Sequence, residues 1–174
     1  MIYINNDIYL SHIKKEDKPS LIKYINDIDI YKNTLKIPFP YTERDADNWI
    51  ARVELLRSET GVQKHWGIKN KEGELIGGIG FNNKYGSDSH KDEIGYWLGK
   101  PFWNRGIMTK VINKICTIGF KDLNLVRIEA NVFSSNVSSK KVLIKTGFVF
   151  EGTLHKYCIK DNNYIDADIF ALIR

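Results

Sequence analysis

Cysteine, proline and histidine are scarce here: 2, 4 and 4 residues respectively in a chain of 174. Cys116 and Cys158 stand far apart and lack C-x-x-C or His/Cys ligand spacing, so neither a disulfide framework nor a metal centre is expected, and both read as ordinary thiols. No apolar run approaches the roughly 18 residues of a membrane span. The opening stretch Met1-Ile2-Tyr3-Ile4-Asn5-Asn6-Asp7 carries no basic leader, which points to a cytoplasmic protein without membrane contact and leaves the sequon Asn136-Val137-Ser138 without meaning. Long blocks of like charge are absent too, because the 26 basic and 21 acidic residues are interspersed. A net charge of +5 suits a polyphosphorylated small ligand as well as a polynucleotide. Without an ordered aromatic and basic motif, nucleic-acid binding is not expected. Neither G-x-G-x-x-G nor a Walker pattern occurs, so Gly77, Gly78 and Gly80 read as a bend or a close backbone approach.

What is present, 43% hydrophobic residues, supports one sizeable core and a single domain over residues 1–174. Residues 7–13 are rich in strand formers. Asp17 ahead of Pro19 marks a helix start, since proline suits a first turn where its missing N–H is not needed, and this helix is predicted to reach Asp27. Residues 28–41 are predicted to be a surface loop, because Pro38 and Pro40 remove donors and restrict their neighbours. Thr42-Glu43-Arg44-Asp45 is a capping-box-like start, after which Trp49, Val53 and Leu56 recur at helical spacing up to Gly61. Residues 63–70 and 74–82 form a predicted hairpin around Lys71-Glu72-Gly73. In residues 92–99, Glu93, Gly95 and Trp97 share one strand face and Ile94, Tyr96 and Leu98 the other. From Asn104 to about Phe120 an apolar stripe of Ile107, Met108, Val111, Ile112, Ile115 and Cys116 predicts an amphipathic helix. A strand at 126–133, a helix from Asn136 to Gly147, and strands at 148–160 and 164–173 joined by Asp161-Asn162-Asn163 complete the chain. The expected class is α/β, with a central mixed, mostly antiparallel sheet of about seven strands flanked by about four helices.

The informative segment is Trp103-Asn104-Arg105-Gly106-Ile107-Met108-Thr109, which opens the amphipathic helix behind a strand and a loop containing Pro101. A helix start leaves several N–H groups without intrahelical acceptors and carries partial positive charge, so donors can converge there on a phosphate. Gly106 would let that backbone come close, Arg105 adds fixed charge, and Ile107 and Met108 anchor the first turn. Taken alone, the segment also suits a helix start whose glycine merely fits a turn. Its pattern resembles the Q/R-x-x-G-x-G/A signature of the GNAT superfamily of acyl-CoA-dependent N-acetyltransferases, in the frame Trp103-x-x-Gly106-x-Met108. Tryptophan and methionine depart from the general signature. The tryptophan form is similar to the branch containing ribosomal-protein N-terminal acetyltransferases. Ile37-Pro38-Phe39-Pro40-Tyr41, Glu93-Ile94-Gly95-Tyr96-Trp97-Leu98, Asn136-Val137-Ser138-Ser139, Gly147-Phe148 and Glu151-Gly152 follow in the order that branch uses.

The resemblance implies acetyl-CoA as cosubstrate, no metal, and direct transfer to a primary amine of a peptide amino terminus or a small molecule. It implies that the backbone of Tyr96, Trp97 and Leu98 pairs with the pantetheine arm and that Asn104, Arg105, Gly106, Ile107, Met108 and Thr109 hold the pyrophosphate. Asn131 and Asn136 would contact the far side of the arm, although Asn136 equally suits a helix N-cap. Lys140 and Lys141 would face the adenosine phosphates, or solvent. Amine acetylation needs a base, because an ammonium has no lone pair, and a proton for the departing thiolate. Glu93 is the candidate base, with Glu129 and Glu151 as competitors. Ser139, the serine of N-x-x-S, is the candidate acid, with Tyr157 as second donor. A strand N–H near Trp97 or Leu98 is expected to stabilise the carbonyl oxygen. His12, His65, His90 and His155 have no matching nucleophile, so an acetyl-enzyme is not expected. The alternative reading is a module that binds coenzyme A without turnover. A homodimer is compatible with the sequence.

Overall fold

The computed structural model describes residues 1–82 and 89–174, which form two compact units. The first comprises Met1–Lys32, Lys36–Gly80 and Tyr96–Ile107, the second Asn33–Leu35, Phe81–Gly95 and Met108–Arg174.

In the first unit, β1 (Ile2–Tyr3), β2 (Ile8–Ser11), β3 (His65–Asn70) and β4 (Leu75–Phe81) pair antiparallel in that order. Every residue of β4 is buried. The glycines there admit a close neighbour: a methyl group added at Gly77 would stand 2.7 Å from the Trp97 carbonyl oxygen, and one at Gly78 2.7 Å from Trp97 Nε1. Helices α1 (Lys18–Ile25), α2 (Ile28–Lys32) and α3 (Glu43–Thr60) bury Leu21, Ile25, Ile30, Ala46 and Ile50 in one cluster with Leu75 and Trp97. The capping box of α3 forms as its sequence predicts. Asp45 N–H donates to Thr42 Oγ1 at 3.3 Å, Thr42 N–H donates to the Asp45 carboxylate at 2.8 Å, and Gly61 ends the helix at a φ of 65°. Polar groups dock α1 on the β3–β4 hairpin. Lys69 meets the buried Asp17 carboxylate at 2.6 Å, and Leu75 N–H donates to Ser20 Oγ at 3.0 Å. Residues 28–32 are helical rather than the expected loop. The Asp27 carboxylate accepts from Asp29 N–H at 2.8 Å, which starts the turn, and Ile30 is buried beneath it. Pro38 and Pro40 act only beyond that turn.

In the second unit the first half of β5 (Lys91–Leu98) pairs parallel with β6 (Arg127–Phe133), in a register ending at Glu93 opposite Glu129. Strand β5 itself continues to Leu98. Strand β6 pairs antiparallel with β8 (Asn163–Ile173), and β8 with the edge strand β7 (Val149–Lys160). The stripe of α4 (Ile107–Lys121) behaves as predicted, with Val111, Ile112 and Ile115 fully buried. Each such side chain contributes about 1.5–3 kcal/mol. Helix α4 begins at Ile107 rather than at the predicted Asn104, because Asn104 and Gly106 hold φ values of 60° and 70°, outside the helical region. Asn136 caps α5 (Val137–Lys145). Asp161 and Asn162, at φ of 50° and 59°, make the tight β7–β8 turn. Among the described residues the count is eight strands and five α-helices, the added elements being Ile2–Tyr3 and Ile28–Lys32.

Burial, followed by the positive charges of Arg52 and Lys64, pushes the His65 imidazole down to about 4 from 6.5. The unfolded chain takes up this proton below about 6.5 and the folded chain only near 4, so stability falls as pH drops through that window. The unfolding midpoint is expected to decline across this range and the His65→Gln variant to decline less. Identical slopes in the two proteins would refute the assignment.

Candidate active site

The first unit carries the end of β5 and the turn before α4. Trp103 Nε1 donates to the Leu98 carbonyl at 2.6 Å, tying the loop to the strand end, which is the work a tryptophan does in the first position of the signature. Trp97 and Leu98 are buried, and the Leu98 carbonyl serves Trp103. Tyr96 is half-buried. Arg105, exposed, stands with its guanidinium carbon 5.7 Å from the centre of the Phe102 ring. Left-handed residues on either side of Arg105 turn the chain so that successive N–H groups can gather on one side, ahead of the α4 amino terminus. Ile107 is buried and anchors the helix start. A methyl group added at Gly106 would meet nothing within 4 Å, so this backbone face is open.

The second unit carries the titratable groups, together with Met108, buried, and Thr109, half-buried, in the first turn of α4. Glu93, half-buried on β5, receives Asn82 Nδ2 on Oε1 at 2.9 Å and Asn131 Nδ2 on Oε2 at 2.5 Å. The same Asn131 amide donates to the Tyr157 hydroxyl at 3.2 Å. Tyr157 reaches this point because β7 bulges. Leu154 pairs with Ala167 and Cys158 with Ile165, so His155, Lys156 and Tyr157 all face Asp166. Asp166 closes the bulge by accepting from Lys156 N–H at 2.7 Å and meeting His155 Nδ1 at 2.9 Å, while Lys156 takes a φ of 51°. Such bulges re-aim side chains. Asn131, a residue expected at the pantetheine arm, bonds the candidate base through its Nδ2. Its Oδ1 is buried with no hydrogen-bond partner among the described residues.

The competing carboxylates have other work. Arg127 donates to Glu129 through Nε at 2.6 Å and holds Glu151 in a fork of 2.8 and 2.5 Å, while Lys91 lies 3.4 Å from Glu129. The Arg127 guanidinium holds the Glu151 carboxyl below its ordinary range. Lys140 is spent structurally, donating to Asp168 at 2.9 Å and to the Ser134 carbonyl at 2.8 Å, so it does not face adenosine phosphates, whereas Lys141 is exposed. The Asn136 side chain accepts from Ser139 N–H at 3.1 Å, the predicted N-cap, which sets Ser139 in the first turn of α5. Burial pushes the Cys116 thiol up to about 12, which leaves it a poor nucleophile. Asn82 gave no signal in the sequence, because an isolated asparagine after a strand acquires meaning only from the sheet partner it faces.

The family described as acetyltransferase (GNAT) domain matches residues 7–149 of this chain. The chain belongs to the GNAT acetyltransferases. It is 32% identical to an uncharacterized N-acetyltransferase of Bacillus licheniformis over 165 residues, 95% of this chain and 92% of that protein. A ribosomal-protein-serine acetyltransferase of Escherichia coli is 30% identical over 103 residues, 59% of this chain and 57% of that protein. Among solved structures, a microcin self immunity acetyltransferase in complex with acetyl-CoA and AMP aligns with a TM-score of 0.85 at 25% identity, covering 98% of this chain and 94% of that one. This GNAT enzyme is thus an acyl-CoA-dependent N-acetyltransferase that takes acetyl-CoA as cosubstrate, and two observations fit that coenzyme. The open face at Gly106 admits a phosphate close to backbone N–H groups, and the buried Asn131 Oδ1 is an acceptor that an amide donor would satisfy.

Replacing Gly106 by valine in this GNAT enzyme places a branched side chain in a left-handed conformation, at a cost of about 1–2 kcal/mol, and fills the open face. The affinity for coenzyme A, measured by titration calorimetry, is expected to fall roughly tenfold or more. Unchanged affinity would reject the loop as the pyrophosphate site.

Proposed function

We propose that this enzyme transfers acetyl directly to a primary amine, either a peptide amino terminus or a small-molecule amine, with Glu93 as general base. The observation that carries the reading is the setting of Glu93, which is bonded by two neutral carboxamides, whereas Glu129 and Glu151 are bound by Arg127. Glu93 is half-buried and Tyr157 exposed, so an acceptor can reach the carboxylate from solvent.

Acetyl-CoA supplies an activated thioester carbonyl. Glu93 takes a proton from the acceptor ammonium, directly or through a water, so that the nitrogen lone pair can form the new N–C bond as the C–S bond breaks. The leaving thiolate then needs a proton. Tyr157 is favoured for this step because Asn131 joins its hydroxyl to Glu93. Ser139 is the competitor named by the family resemblance. Backbone N–H groups near Trp97 or Leu98 are assigned to the carbonyl oxygen. Asn104, Arg105, Gly106, Ile107, Met108 and Thr109 are assigned to the pyrophosphate, and Tyr96, Trp97, Leu98, Asn131 and Asn136 to the pantetheine arm. We read the chain as one catalytic domain over residues 1–174, placed in the cytoplasm. Two free cysteines and the absence of a helix long and apolar enough to cross a membrane among the described residues support that placement.

A thiol-release assay with acetyl-CoA against a panel of amines and peptides tests the scheme. Glu93→Gln is expected to lower kcat by roughly 10²–10⁴-fold with coenzyme binding retained. Tyr157→Phe is expected to cost about 10–100-fold and Ser139→Ala less than about fivefold. The reverse order would move the acid role to Ser139, and full turnover in Glu93→Gln would place the base elsewhere.

A further inference from the structure

We propose that Asn82 and Asn131 are positioning residues that hold the Glu93 carboxylate from two sides, and that Gly95 lacks a side chain so that this clamp can form. The inference rests on Glu93 being the base. One carboxamide Nδ2 sits on each carboxylate oxygen, at 2.9 Å from Asn82 and 2.5 Å from Asn131. Two donors on different oxygens stop rotation of the carboxylate about its last torsion, which is otherwise broad.

The chemistry of the clamp separates it from an ion pair. Arg127 beside Glu129 and Glu151 favours their ionised forms and competes with any incoming proton. Asparagine brings direction without a counter-charge, which suits a group that must accept a proton and release it in each cycle.

The fold builds each arm from a separate element. Asn82 follows β4 directly, and its N–H donates to the Glu93 carbonyl at 2.8 Å, so its side chain starts beside β5. It lies over Gly95, where an added methyl group would stand 3.2 Å from Asn82 Oδ1 and 3.3 Å from Nδ2. A side chain at position 95 requires the carboxamide beside Glu93 to give by a few tenths of an ångström. Asn131 is fixed on β6 opposite Ile169 of β8, and its bond to Tyr157 sets base and hydroxyl on one amide.

The test compares Asn82→Ala, Asn131→Asp and Gly95→Ala, alone and in a Glu93→Ala background. Asn131→Asp keeps an acceptor oxygen and removes the donor to Glu93. Each single variant is expected to lower kcat by roughly 10–100-fold, since a misplaced catalytic group costs that order. For Asn82→Ala and Gly95→Ala the acceptor KM and the coenzyme affinity by calorimetry are each expected to stay within about threefold, because neither ligand's binding is the task of Asn82. In the Glu93→Ala background the same substitutions are expected to change the residual rate by less than about twofold, since a residue acting through Glu93 has nothing left to act on. Gly95→Ala adds no change in an Asn82→Ala protein. An equal penalty with and without Glu93 would mean a merely structural role and overturn the clamp. Fully active Asn82→Ala and Asn131→Asp beside an inactive Glu93→Ala would overturn the clamp alone. A fully active Glu93→Ala would overturn the base assignment and the clamp with it.

Discussion

The short parallel register that sets Glu93 opposite Glu129 is the constraint from which the chemistry of the second unit follows. Like charges on neighbouring strands destabilise a sheet unless something separates them. Here they are sorted by partner. Arg127 and Lys91 gather around the buried Glu129, and Arg127 extends its fork to Glu151 across the sheet. Glu93 receives the carboxamides of Asn82 and Asn131. The two carboxylates thereby sit in different settings, one tied to Arg127 and the other, the proposed base, held by two carboxamides. Beyond that pair β5 continues to Leu98 while its register with β6 has ended.

In the first unit the loop proposed to hold the pyrophosphate depends on a different contact, the indole of Trp103 on the Leu98 carbonyl. A rigid tie at the end of the strand lets the chain take two left-handed residues in quick succession and still enter α4 on a buried Ile107. Preorganised donors lose little freedom on binding, and this is how a turn with few side-chain contacts can grip an anion. A second tie, from Asp168 to Ser134, Lys140 and Thr153, fixes the start of α5 in the second unit and withdraws Lys140 from the solvent face. Buried networks of this kind set side-chain orientation when every member is satisfied.

Much of the fold was legible because local chemistry and tertiary context agree. Thr42 and Asp45 cap the same helix in the structure as on paper, the α4 stripe faces inward, and Asp161-Asn162 turns the last hairpin. Residues 28–32 were misread because the prolines further on outweighed a local signal, the Asp27 side chain capping a single helical turn over Ile30. Glu93 and Tyr157 were legible as candidate residue types. Their linkage was not, since it requires a bulge that no residue pattern in β7 announces.

The sequence by itself determined the capped starts of α3 and α5, the strand periodicities, the glycine before α4 and, through an ordered series of motifs, membership in the GNAT family. These are properties of neighbours along the chain, set by dihedral preference, capping and the side on which apolar groups fall. Only tertiary structure decided which carboxylates Arg127 binds, that the Asn131 carboxamide reaches Glu93, and that Asn82 lies beside it. Those outcomes depend on distances of a few ångströms between residues far apart in the chain, and a hydrogen bond forms or fails on that scale.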